Sequence, residues 1–198
     1  MNKLLSNPLN DGEIAKLRRL LGREVMDLYA PSLTVDLSTG LISAHQISFW
    51  LHGRSSQFLN ISTDWWQTEL DDYHTFVLET SATPADIPFD ASGKNVIGPT
   101  SNCACRVGRV QKIEIVQSKF EVIDGPDPAD MNNSDPAAAP PVKETIVYDR
   151  GINFICERGI ISLATEFGPI LGDIQIRNGP VTVSGDESEV MKVRKTLT

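Results

Sequence analysis

After Gly22 the apolar residues of this chain fall at alternate positions, in short runs separated by glycine-bearing turns. No other feature restricts the fold as much, because a side chain at every second position is the period of a strand half-buried against a core. Leu33, Val35 and Leu37 alternate with Thr34 and Asp36, which predicts a half-buried strand over residues 32–37. Ile47, Phe49 and Leu51 form one face of the next, with Ser48 and Trp50 on the other. Gly53-Arg54-Ser55-Ser56 reads as a hairpin loop leading into a strand at 58–62. Further strands are predicted at 73–80, at 145–148, 152–156 and 160–165, and at 174–177 after Gly172-Asp173. Residues 107–123 hold one long strand or two short ones.

Before Gly22 the period is that of a helix. Ile14, Leu17, Leu20 and Leu21 share one face, Lys16, Arg18 and Arg19 another, with Asp11 as the expected cap and Gly22 as the left-handed stop. Two stretches echo one another. Ile47-Ser48-Phe49 precedes a glycine turn, a strand from Phe58, a loop and a strand from Tyr73. Ile152-Asn153-Phe154 precedes a glycine turn, a strand from Ile160, a loop and Ile174-Gln175-Ile176. The predicted class is therefore α+β, mostly antiparallel β, with one N-terminal helix and two similar β-meander units that a duplication would explain. The expected division is 1–123 for the helix and first β unit, 124–142 for a mobile loop rich in Pro, Ala and Asp, and 143–198 for the second unit. The two units are expected to pack as one compact domain. The tail after the last strand is polar and is expected to be loosely held.

The chain has 198 residues with 40% apolar and 22% charged, ordinary values for a packed domain and unlike those of a disordered chain. Its formal charge of −8 argues against nucleic acid, since phosphate contacts need clustered Lys and Arg. That charge is local. Residues 55–93 carry seven of the chain's 26 acids and none of its 18 bases, a segment at −7 that leaves −1 for everything else. A basic partner suits such a segment, because opposite charge accelerates encounter.

Inside it, Asp64-Trp65-Trp66-Gln67-Thr68-Glu69-Leu70-Asp71-Asp72-Tyr73 joins two adjacent indoles to four carboxylates. On a strand, neighbouring side chains point to opposite faces, so both rings cannot enter one core. Either the indoles close the end of the core, or Trp65, Trp66, Glu69, Asp71 and Asp72 form an acidic aromatic face that binds a protein. Cys103, Cys105 and Cys156 with His45, His52 or His74 lack the paired spacing of a structural zinc site, so no metal and no cofactor is assigned. An odd number of cysteines and the lack of an apolar leader point to a reducing cytoplasm rather than a secreted or membrane protein. No nucleophile elbow, phosphate-binding glycine loop or metalloprotease His pair occurs, so no catalytic residue is assigned.

Leu21-Gly22-Arg23-Glu24-Val25 after a short helix, the strand at 32–37, and Phe58-Leu59-Asn60-Ile61-Ser62-Thr63-Asp64-Trp65 resemble small bacterial β-rich proteins. So does Val147-Tyr148-Asp149-Arg150-Gly151-Ile152-Asn153-Phe154, continuing through Ile160 and the glycine before Ile174. The proteins resembled are immunity partners of polymorphic or contact-dependent toxins. The resemblance spans about two thirds of the chain, and implies a non-enzymatic inhibitor that binds a toxin domain and blocks its active site or a surface nearby. The alternatives are an enzyme or small-ligand module with a cleft between the two β units, and a carbohydrate-binding module stacking sugars on Trp65 or Trp66.

Overall fold

The computed structural model describes residues 2–51, 57–85, 101–124, 142–165, 172–181 and 189–198. The expected loops at 53–56 and 125–141 lie outside the described residues. Within them the class is the one expected, mostly antiparallel β with a single helix near the N-terminus.

The chain opens on strand β1 (Asn2–Asn7), followed by helix α1 (Asp11–Arg18). Asn10 caps the helix, not Asp11. Its side chain accepts from the Glu13 N–H at 3.0 Å while Glu13 accepts from the Asn10 N–H at 2.9 Å. This reciprocal pair satisfies two donors that a helix start leaves open. Asp11, one residue later, sits inside the first turn, where its charge suits the helix dipole. The helix ends at Arg18 with Arg19 as its C-cap, so Gly22, although it has a left-handed φ of +73°, is not the stop expected; its N–H donates to the Val110 carbonyl at 2.8 Å.

Then come β2 (Glu24–Ala30), β3 (Thr34–Asp36), β4 (Leu41–Ala44), β5 (Gln46–Leu51), β6 (Gln57–Gln67) and β7 (Asp72–Ser81). They are followed by β8 (Ser101–Asp124), β9 (Val142–Cys156), β10 (Gly159–Thr165), β11 (Ile174–Asn178) and β12 (Glu189–Leu197). One path of neighbours runs β3-β4-β11-β10-β9-β8-β2-β5-β6-β7, with β1 added to β9 and β12 to β8. Among the described residues only the β1–β9 pairing is parallel. The two meanders anticipated from the sequence are β5-β6-β7 and β9-β10-β11.

Strand β8 divides this path into two sheets. Its first half pairs with β2, its second half with β9 and β12. Gly108, at φ +81°, lies where the strand passes from one to the other, and a Cβ there would stand 2.7 Å from Glu157 Oε2. Only glycine meets both demands without a shift. The main core fills the space between the sheets. Phe49 of β5 meets Phe154 of β9 with ring centroids 5.2 Å apart, and Leu17 and Leu20 of the helical segment are buried with them.

A bulge splits the core in two. Gln117 pairs with Asp149 but Val116 pairs with Gly151, which leaves Arg150 as the extra residue. One extra residue reverses which side chains face which way. Ile152 and Phe154 therefore join Ile113 and Ile115 in the main core. Ile146 and Tyr148 join Phe120 and Tyr73 in a second cluster. The residues expected to form two strands, 145–148 and 152–156, are one bulged strand.

Two further expectations are corrected. Residues 32–37 contain only the three-residue β3, all three of its residues exposed at the sheet edge, with Leu37 93% exposed. Leu33, by contrast, packs against the core. The polar tail is not loose over 189–197. It forms β12 against β8 and ends on the buried Leu197.

Candidate functional site

The two indoles lie near the end of the β6–β7 hairpin. β6 extends through Gln67, so Trp65 and Trp66 are strand residues, paired across to His74 and Tyr73. They accordingly point to opposite faces of the hairpin, and neither enters a core: Trp65 is 52% exposed and Trp66 45%. The third tryptophan, Trp50, stacks on Phe58 and is half-buried. Leaving two indoles half in water forgoes a large burial gain.

The turn that joins the strands is tightly built. Thr68 Oγ1 accepts from the N–H groups of Asp71 at 2.8 Å and Leu70 at 3.2 Å, while the Thr68 N–H donates to the Asp71 carbonyl at 2.9 Å. Asp71 also accepts the Asp72 N–H on its carboxylate at 2.8 Å. Glu144, buried on β9, accepts from the Leu70 N–H at 3.3 Å. Lys3 of β1 lies 3.2 Å from Glu69 and 3.5 Å from Glu144. Burial pushes the Glu144 carboxyl up, but the Thr68 hydroxyl, the Leu70 N–H and the Lys3 charge outweigh it and hold it below its ordinary value. Among the five residues singled out in sequence, Glu69 is thus an ion-pair partner of Lys3 and Asp71 a turn former. Asp72 is half-buried and Asp64 is exposed.

A cleft of about 290 Å³ opens beside the hairpin. Asp64, Trp66, Thr75 and Val77 reach it from one face of β6 and β7. Asn7, Pro8, Leu9, Asn10 and Glu13 close the other side, with Asp149 at its base. Two of its three carboxylates are committed: Glu13 to the helix cap, and Asp149 to Arg194 and the Leu9 N–H at 2.8 Å. Asp64 is left facing solvent. The cleft lies between the β1–α1 connection and β7, with Asp149 of β9 beneath it. Residues 7–10 and Asp149 were not singled out from sequence, because nothing local ties them to β7; a parallel β1–β9 pairing brings them there.

On the opposite face, beyond Trp65, Thr63 Oγ1 donates to the Gly172 carbonyl and His74 packs against Gly172. A Cβ on Gly172, at φ +57°, would lie 2.4 Å from His74 Nδ1. This contact fastens the hairpin to the approach of β11. His45 Nδ1 stands 2.5 Å from Asp173 Oδ1 in the same region.

Cys105 and Cys156 are buried, and burial raises the Cys156 thiol to about 11. The Cys103 side chain and His52 lie outside the described residues, among which no three His, Cys, Asp or Glu side chains are placed to hold a metal. No described helix is long and apolar enough to cross a membrane. Compared with known protein families, curated proteins and solved structures, the chain has no match.

Proposed function

We propose that this chain is a non-enzymatic binding protein, an immunity or inhibitor protein that neutralises a basic toxin domain in the cytoplasm through the end of the β6–β7 hairpin. The observation that carries this reading is the pair of adjacent indoles, both about half exposed and on opposite faces of one hairpin, beside Asp64 and Asp72. Indoles half out of water supply anchor area, and the carboxylates around them supply attraction and select a basic partner. Because the rings face opposite ways, a flat partner surface engages one of them, whereas a groove that receives the hairpin engages both.

The test is binding to a basic toxin domain encoded beside this chain. Trp66→Ala is expected to weaken it by about 2 kcal/mol or more, mainly through faster dissociation. Asp64→Asn is expected to slow association and to flatten its salt dependence. Both variants binding as the parent does would exclude this face.

A further inference from the structure

Where the hairpin turn meets the sheet, two carboxylates share one cation. Lys3 Nζ of β1 lies 3.2 Å from Glu69 Oε1 and 3.5 Å from Glu144 Oε1. The two acids stand in opposite surroundings. The Glu69 side chain is 67% exposed on the turn, whereas Glu144 is fully buried on β9. Glu144 Oε2 accepts from the Leu70 N–H at 3.3 Å. Its other oxygen, Oε1, faces Lys3 and accepts no hydrogen bond from any described residue. A buried carboxylate oxygen left without a donor is costly, and a charged donor beside it is the group that can satisfy it.

The charge of the cluster says what would let Lys3 do so. Glu69 and Glu144 against Lys3 leave an excess of one negative charge, so the group has room for a second cation. The Lys3–Glu69 pair is exposed, and exposed pairs contribute little, so its cation exchanges at small cost. Solvent reaches Glu69 and not Glu144, so an incoming cation meets Glu69 and Lys3 is the group that moves inward. We infer that the Glu69–Lys3–Glu144 cluster receives one basic side chain of the partner, a lysine ammonium or an arginine guanidinium, which pairs with Glu69 while Lys3 transfers to Glu144 Oε1. This rests on the hairpin end being the partner site and adds a contact that exchanges counter-ions there. Glu69, engaged within the free chain, is thereby available to a partner.

The probe is the peptide acetyl-Arg-Arg-Arg-Arg-amide, titrated at physiological ionic strength and followed by the amide shifts of Glu69 and Leu70. It is compared on the full chain, Glu69→Gln, Glu144→Gln and Lys3→Met, with Lys192→Met on β12 as a control for net charge. Glu69→Gln and Glu144→Gln are expected to weaken binding about threefold each, and Lys3→Met to strengthen it about threefold, more than the control does. The buried position is the sharpest arm. No peptide reaches Glu144, yet its neutralisation leaves one acid for one ammonium and keeps Lys3 on Glu69. Glu144→Gln binding as the parent does overturns the exchange. Lys3→Met binding no tighter than Lys192→Met, Glu69→Gln unchanged, or no binding at millimolar peptide each overturns it as well. The exposed Glu69→Gln and Lys3→Met keep the test decisive if Glu144→Gln fails to fold. A basic toxin domain that binds the parent and not Trp66→Ala upholds the hairpin as partner site in any of these cases. A toxin domain indifferent to Trp66, with the peptide series as expected, removes that function and keeps the cation site.

Discussion

At the scale of the residue, most acidic side chains near the hairpin turn have structural work that the sequence conceals. Asp71, Glu69 and Glu144 form and fasten the turn, while Asp64 stays exposed and Asp72 half-buried. Glu144→Ala removes a buried acceptor of the turn and leaves Lys3 short of a partner, so it is expected to cost about 2 kcal/mol in denaturant unfolding. Because the Glu144 carboxyl sits below its ordinary value in the folded chain, its contribution is present above the usual carboxylate range and is lost as pH falls through the lowered value. The parent should therefore lose stability on acidification more steeply than Glu144→Gln does. Tyr148 behaves in the opposite direction. Burial pushes its phenol up to about 12, against about 10 in an unfolded chain, so its stabilisation is complete below pH ~10 and disappears as pH rises towards 12. Unfolding midpoints measured across that window should fall more gently for Tyr148→Phe, the difference amounting to about 2 kcal/mol.

At the scale of the element, the period of two was legible wherever one face of a strand meets a core, as at Ile47, Phe49 and Leu51, all buried. It failed where a strand lies at an edge or where its alternation is broken. Val35 alternates correctly but is half exposed on β3, and β2 went unread because Val25 and Met26 are adjacent apolar residues between Glu24 and Asp27, which breaks the alternation. The bulge at Arg150 was invisible for another reason: Ile146, Tyr148, Ile152 and Phe154 keep even spacing in sequence although the extra residue sends them to two clusters. Of the candidate site, the indoles and their carboxylates were legible as composition. Their division between two faces followed only once β6 proved to extend through Gln67, and the cleft depended on contacts between distant segments. Gly172 fastens the hairpin to the second meander. Gly172→Ala forces a Cβ against the His74 ring at a left-handed backbone, and is expected to lower stability by about 2 kcal/mol in thermal or denaturant unfolding.

At the scale of the whole molecule, two meanders in two sheets are joined by a long strand that serves both, and two half-exposed indoles stand near the end of one hairpin. The charge follows the same division, with −7 in residues 55–93 and −1 elsewhere, so the field of the chain is directed from one region. Encounter with a basic partner should then be fast at low ionic strength and fall as salt rises, while dissociation, governed by Trp66 and its neighbours, changes little. The most direct measurement is the association and dissociation kinetics of the chain with a basic toxin domain encoded beside it, for the parent, Trp66→Ala and Asp64→Asn, at low and high salt. The expected result is dissociation about thirtyfold faster for Trp66→Ala, equivalent to about 2 kcal/mol, and slower association with a shallower salt dependence for Asp64→Asn. Unchanged rate constants for both variants, at either salt concentration, would contradict the hairpin as the site of binding.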